Sequence, residues 1–502
     1  GLKAADQLGN EAVAAQALSG LSGLYRSENR TSEALSLADR AVTRGRAAGQ
    51  MGEIYKLEVA RAQLLQEIGR TQEAILAYGR AIEALEPLRH QSAWAGALNP
   101  STFEESTRPV YESLIGLLLD QARSSVDPAT RQELLREARD TLEAFKAAEL
   151  RDYFEDDCVE ALQSRLASIE SVSSEAAILY PLSLSDRLVV LTTWPSGEIV
   201  EHEVSVTRGA LTQEASMLRQ RVEQAGTRRY LPHAQRIYDW LVRPLEPELK
   251  KHKVETLVFV PSGALLMIPM AVLHDGEKFL VDRYALGLTP GLELTDPSPF
   301  NREAPQALLA GLSESVEGFP PLPNVVEEIE QVQAILGGDV LLNADFRRED
   351  LREQLAEETY GVVHLATHAV FSSTDEGAYL LTADGRLSMQ ALASDIGTFR
   401  FRKKPLELLT LSACETAQGN ERAALGLSGV AIQAGARSAL GSLWSVNDPA
   451  TAQLVETFYR ALLEPGVSRA QALARAQRGL KADFRYSHPA YWAPFQMIGS
   501  WL

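Results

Sequence analysis

The chain holds 502 residues, 45% hydrophobic and 23% charged, with a formal net charge of −18. That acidic balance excludes a general binder of nucleic acid or of anionic membranes, both of which need a positive field. Two cysteines cannot make a disulfide framework and fit a reducing compartment.

The length suits two to four domains with sizeable cores. No run of 18 apolar residues predicts a membrane span, and no signal-peptide pattern follows Gly1. A cytoplasmic location is expected. The start without Met leaves room for residues upstream.

Residues 1–172 read as helix, rich in Ala, Leu, Glu, Arg and Gln, the strong helix formers. Leu24, Arg30, Thr31, Glu33, Ala34, Arg40 and Ala41 recur forty residues later as Leu64, Arg70, Thr71, Glu73, Ala74, Arg80 and Ala81. A fixed period of this size marks an α-solenoid, and small residues at helical spacing let paired helices approach. The two stretches resemble tetratricopeptide repeats with a longer period. Residues 92–109, with Pro100 and Pro109, predict a loop, and a degenerate third helical pair is expected over 109–125 and 129–150.

Near residue 176 the pattern changes to short apolar runs. A-I-L-Y-P-L, D-R-L-V-V-L-T-T-W and I-V-E-H-E-V-S-V predict strands, with a turn at 195–197. Helix is expected over 211–249, then a buried strand ending at Pro261, Ser262 and Gly263. After a Pro-rich acidic loop (289–305), strands at 307–312, 339–342, 360–367, 406–412 and 438–443 alternate with helices at 324–337, 346–357, 425–435, 449–463 and 468–482. Continuous apolar strands alternating with helices predict a mostly parallel sheet covered on both faces. The expected domains are a helical repeat domain (1–172), a first α/β subdomain (176–300) and a second α/β subdomain (301–502).

In an open α/β sheet ligands bind beyond the carboxyl ends of the strands. His368 follows the strand V-V-H-L-A-T, and Cys414 follows L-L-T-L-S-A. If these strands are neighbours, imidazole and thiol converge, as a cysteine nucleophile needs. The backbone N–H groups of Cys414 and Ala369 are the natural donors for an oxyanion.

Several blocks make a resemblance specific. V-V-H-L-A-T-H-A-V-F, L-S-A-C-E-T-A-Q-G, G-L-S-G-V-A-I-Q-A-G-A-R-S-A-L-G-S-L-W-S-V-N-D-P-A-T, the ending H-P-A-Y-W-A-P-F-Q-M-I-G and the earlier V-P-S-G-A-L-L-M-I-P-M-A-V-L are similar to the CHAT domain. The resemblance covers about 176–502, and A-E-L-R-D-Y-F-E-D-D-C (148–158) is like the joining helix of such proteins. It implies a caspase-like, separase-like cysteine peptidase of bacterial type, often fused to tetratricopeptide repeats. His368 would be the general base or thiolate partner and Cys414 the nucleophile, working as a dyad. The family usually has Gly after this histidine, where this chain has Ala369. The resemblance also assigns Asp448, in L-W-S-V-N-D-P after Trp444, to recognition of a basic P1 side chain; Asp448 also reads as a cap for the next helix. Trp444 and Ser412 are the other expected substrate-binding residues; Ser412, two residues before the nucleophile, would leave the pocket floor neutral.

The remaining candidates read as structural. His364 is four residues before His368 on a strand, about 13 Å away, too far to share a metal. Cys158 falls in an acidic helix, H-D-G-E (274–277) reads as a turn, and His488 before Pro489 as a docking residue for the last strand. The expectation is a Cys–His endopeptidase needing no metal or organic cofactor. Its repeat domain would recruit or sense a protein, with no nucleic-acid or membrane partner. The alternative is an inert repeat scaffold whose caspase-like half docks or switches.

Overall fold

The computed structural model describes residues 1–89, 103–154, 175–303, 306–371, 378–397, 406–412, 415–416, 435–446 and 448–502. The chain divides into two compact units, Gly1–Asp157 and Cys158–Leu502.

The first unit is helical: α1 (Leu2–Gln7), α2 (Glu11–Ser27), α3 (Thr31–Ala48), α4 (Met51–Glu67), α5 (Thr71–Arg89), α6 (Arg108–Ser124) and α7 (Pro128–Phe154). Helices pack in sequence as pairs α2–α3, α4–α5 and α6–α7. The forty-residue repeat is visible in detail. Thr31 and Thr71 open equivalent helices, Arg30 pairs with Glu33 and Arg70 with Glu73. Asn29 and Gly69 both take left-handed backbone in the intervening turn, at φ 59° and 75°. Ala34, Ala41, Ala74 and Ala81 are buried where the helices meet. Glu58 of α4 is fully buried, with Arg46 of α3 2.6 Å and Arg80 of α5 3.0 Å away, so one carboxylate ties neighbouring helices of successive pairs.

The second unit is built on one eleven-stranded sheet. Its strands are β1 (Ala176–Ser183), β2 (Leu188–Thr193), β3 (Ile199–Val204), β4 (Thr256–Phe259), β5 (Ala285–Leu288), β6 (Ala307–Gly311), β7 (Asp339–Leu342), β8 (Val362–Ala366), β12 (Leu408–Leu411), β14 (Ser438–Ser442) and β15 (Phe495–Gly499). A smaller sheet holds β9 (Ala369–Phe371), β10 (Tyr379–Thr382), β11 (Gly385–Ser388) and β13 (Glu415–Thr416). The orders are β3-β2-β1-β4-β5-β15-β14-β12-β8-β6-β7 and β11-β10-β9-β13. The run β14-β12-β8-β6-β7 is parallel throughout, and β6, β8, β12 and β14 are buried along their whole length. Such strands need cover on both faces.

Helices of this unit are α8 (Arg208–Val222), α9 (Leu231–Leu241), α10 (Glu246–Lys251), α11 (Leu280–Arg283), α12 (Val325–Leu336), α13 (Arg348–Glu357), α14 (Met389–Gly397), α15 (Asp448–Leu462), α16 (Arg469–Ala482) and α17 (Pro489–Trp492). The single helix expected over 211–249 is three, α8 to α10. Pro232, Pro244 and Pro247 sit at the starts of successive helical pieces, where the missing N–H costs least. The helix expected over 425–435 lies outside the described residues except for its last position. β9, β10, β11 and α14 were not foreseen.

Gly311, at the end of β6, lets α12 close onto the sheet. A Cβ there would fall 2.7 Å from Val325 Cγ1 and 2.9 Å from Ile329 Cγ1. This close approach brings the first turns of α12 down to the carboxyl ends of the parallel strands.

Candidate active site

β8 and β12 are parallel neighbours with Leu365 opposite Leu411, so the segments leaving their carboxyl ends start side by side. Beyond them β9 pairs in parallel with β13, Val370 opposite Glu415 and Phe371 opposite Thr416. His368 precedes Val370 by two positions and Cys414 precedes Glu415 by one. Cys414 lies outside the described residues. The pairings on either side of it bracket the segment that carries it.

The His368 imidazole is half-buried. Its Nε2 lies 2.8 Å from the carbonyl oxygen of Pro320. A carbonyl only accepts, so Nε2 is the donor here, and in the neutral ring the lone pair is on Nδ1. The Phe319 ring, centred 5.1 Å away, flanks it. A backbone carbonyl thus orients the ring. No side-chain motif could have revealed this partner, because the carbonyl belongs to any residue at that position.

Ala369 opens β9 and is 2% exposed. It is not among the residues with positive φ, so alanine meets no strain where the family usually has glycine. Leu381 N–H donates to the His368 carbonyl at 2.9 Å. Successive residues of a strand face opposite neighbours, so the Ala369 N–H points away from β10, toward the β13 side.

The expected pocket residues fare differently. Asp448 opens α15, and its side chain lies outside the described residues. Ser412 is 5% exposed, and its hydroxyl donates to the Glu328 carboxylate. A carboxylate therefore does stand behind the neutral serine, on α12. Trp444 is 8% exposed. Its indole N–H donates to Ala490 O at 3.0 Å, and the Arg219 guanidinium stacks 4.6 Å from the ring. The indole N–H is thus engaged within the fold, and the ring braces the end of β14 against α8. Arg219 also donates to the carbonyls of Leu443 and Met267, and burial lowers its pKa.

His364 is fully buried, as expected, with Nε2 3.0 Å from Glu328 Oε1 and Nδ1 3.2 Å from the Tyr459 hydroxyl. His488 caps α17 by accepting from Ala490 N–H at 3.1 Å and lies 2.8 Å from Thr227 O. The 274–277 segment forms the expected turn, closed by the Asp275 N–H to Lys278 O bond. Cys158 lies outside the described residues. Among the described residues no group of three or more His, Cys, Asp or Glu is placed to hold a metal ion. No described helix is long and apolar enough to cross a membrane.

The second unit is therefore an α/β domain with a mostly parallel sheet flanked by helices and a histidine at a strand end, and the first unit is a helical repeat region. The CHAT domain family model matches residues 231–500, more than half of the chain, and the chain belongs to that family. Tetratricopeptide repeat protein 28 of Homo sapiens is 26% identical over 329 aligned residues, covering 54% of this chain and 13% of that protein. Its Mus musculus counterpart is 25% identical, with the same coverage. The chain thus spans about an eighth of the curated relatives it matches. Among solved structures, separase in the Saccharomyces cerevisiae separase–securin complex aligns with a TM-score of 0.47 at 10% identity, over 97% of this chain and 47% of that one. The complex of Porphyromonas gingivalis RgpB pro- and mature domains aligns with a TM-score of 0.34 at 7% identity, over 58% and 75%.

Proposed function

We propose that this chain is a cysteine endopeptidase in which Cys414 attacks a peptide carbonyl and His368 serves as its base. The observation that supports this most is the paired departure of the two loops, β8 beside β12 and β9 beside β13. With Nε2 turned to Pro320, the Nδ1 lone pair is the site that can take the thiol proton. The acyl-enzyme then forms with loss of the amine fragment, and water releases the acid. Ala369 and Cys414 N–H groups would hold the oxyanion, and Asp448 would pair with a basic P1 side chain. The domains 1–172, 176–300 and 301–502 would act as recruiting, supporting and catalytic parts, with a protein partner on the repeat surface and a specific protein substrate. No cofactor enters this scheme.

The test is labelling of the intact protein by a peptidyl acyloxymethyl ketone, followed by peptide mapping. Adduct at Cys414, absent at Cys158 and lost in His368→Ala, is the expected result. Labelling that ignores His368, or no labelling beside normal reactivity toward small alkylating agents, would leave an inert switch module as the better reading.

A further inference from the structure

The core beneath the parallel strands holds a polar chain that the proposed chemistry does not use. Glu328, one turn into α12, is 1% exposed. Its carboxylate accepts the Ser412 hydroxyl. The same oxygen lies 3.0 Å from His364 Nε2, though off the direction of an aligned N–H bond. His364 Nδ1 lies 3.2 Å from the Tyr459 hydroxyl, which lies 2.7 Å from Thr410 Oγ1. Thr410 and Ser412 share one face of the β12 segment, and Thr410 is in register with His364 of β8. Burial raises the pKa of Tyr459, so its hydroxyl stays protonated and can donate to His364. With Thr410 donating to Tyr459 and Tyr459 to His364 Nδ1, the His364 proton lies on Nε2, on the side of the Glu328 carboxylate that accepts from Ser412.

All five groups are buried, in the core on the sheet face opposite the cluster that Val363, Leu365, Leu409 and Leu411 join. Apolar residues of the same shape would hold such a core at least as well. What the polar version adds is direction. A single carboxylate on α12 reaches β8 through His364 and the end of β12 through Ser412. His364 lies four residues before His368, and Ser412 two before Cys414.

We propose that Glu328 is a positioning residue: it sets where the His368 and Cys414 segments leave the sheet. This rests on the cysteine-peptidase reading for its meaning, but not for its measurement. Nucleophilic attack needs the reacting groups placed within a fraction of an ångström, and a misplacement of about 1 Å can cost about 100-fold in rate.

The experiment compares Glu328→Ala, Glu328→Gln, Ser412→Ala and the double alanine variant in the full chain. One readout is kcat and KM on a peptide substrate. The other is the pH profile of Cys414 alkylation by iodoacetamide, which needs no peptidase activity. Glu328→Ala should lower kcat about 10- to 100-fold with KM little changed and move the alkylation midpoint upward, as the thiol loses its aligned base. Glu328→Gln keeps an acceptor for Ser412 and should restore most of both. The double variant should be no worse than Glu328→Ala, because the two residues act as one unit.

An unchanged kcat and midpoint in Glu328→Ala would overturn the proposal. So would a glutamine variant as impaired as the alanine one, or kcat losses that merely follow the fraction of folded protein. Should the alanine variant fail to fold, Ser412→Ala and Glu328→Gln decide in the same way. If the wild type cleaves nothing, the peptidase reading fails. The alkylation profile then still decides the positioning role: a shift rescued by glutamine supports it, and no shift refutes it.

Discussion

Replacing Gly311 by alanine tests whether close seating of α12 holds the upper part of the second unit together. The added Cβ would meet Val325 Cγ1 at 2.7 Å, Ile329 Cγ1 at 2.9 Å and Leu342 Cδ1 at 3.3 Å. Ordinary carbon contacts lie at about 3.5–4.0 Å, so α12 must lift by roughly 0.6–1 Å or its valine and isoleucine must leave their preferred rotamers. Overpacking of this kind costs about 1–3 kcal/mol. Urea unfolding followed by tryptophan fluorescence suits the test, because five of the six tryptophans lie in this unit, at positions 194, 240, 444, 492 and 501. Val325→Ala removes the nearest clashing atom at a cost of its own, about 0.8 kcal/mol per buried methyl. In the double variant the contact with Val325 has gone and that with Ile329 remains, so the two losses should sum to more than the observed one by about 1 kcal/mol. A Gly311→Ala protein as stable as the wild type, or two variants whose costs simply add, would refute the close-approach argument.

Cys414→Ala should abolish cleavage, His368→Ala should lower it about 100- to 10,000-fold, and the double variant should be little worse than Cys414→Ala alone in a continuous peptide assay. Asp448→Asn should weaken turnover of substrates with P1 Arg by about 2–5 kcal/mol in kcat/KM while sparing apolar ones; a peptide library showing no basic preference in the wild type would return Asp448 to helix capping alone. Glu58→Ala leaves three arginines of the repeat unit, Arg46, Arg61 and Arg80, without their shared buried partner and should destabilise that unit by about 1.5–3 kcal/mol, read by helical circular dichroism during unfolding. His488 titrates below its ordinary value, first because it is buried, with Arg228 adding to the effect. Protonation of Nδ1 would also break its cap to Ala490. The unfolded chain therefore takes up this proton first, and stability should fall as the pH drops below about 6.5. His488→Asn keeps a capping side chain without the titration and should flatten part of that acid slope, whereas an unchanged slope would remove His488 as a contributor.

The repeat and the α/β alternation were legible because each is written in side chains that recur at fixed spacing. The alanines of the repeat return every forty residues, and the parallel strands read as unbroken apolar runs. The two loops of the candidate site were legible for the same reason, since both follow such runs. The smaller sheet was hidden, because β9, β10 and β11 are short, and Gly385 closes the tight β10–β11 connection with a positive φ. Glu328 was hidden in V-V-E-E-I-E-Q-V, where three glutamates look alike. One signal was present: Val325, Glu328, Ile329 and Val332 stand at helical spacing on a single face, so Glu328 is the acid on the apolar stripe. The Pro320 carbonyl had no signal at all.

The strand that leads to Cys414 is held at both ends by buried charge, and the two anchors are of different kinds. At its start Glu407, next to Leu408, receives Arg469 at 2.7 Å and Arg437 at 2.6 Å. Arg469 is fully buried, with its pKa brought down to about 10 chiefly by that burial. It also donates to Ser298 O and to Leu502 O, so the segment between β5 and β6 and the end of the chain converge on the same guanidinium. β15, just before that end, joins the two halves of the sheet by pairing with β5 on one side and β14 on the other. The lower anchor therefore draws on residues far apart in sequence and forms only when the whole sheet is assembled. The upper anchor, Glu328 on Ser412 and His364, needs only α12 seated on β6, β8 and β12. A disturbance of the first should unfold the unit, whereas a disturbance of the second can move the loops at the strand ends while the sheet persists. Regulation of such a site has physical room to act at the upper anchor, where a small shift of one helix changes the geometry of both loops together.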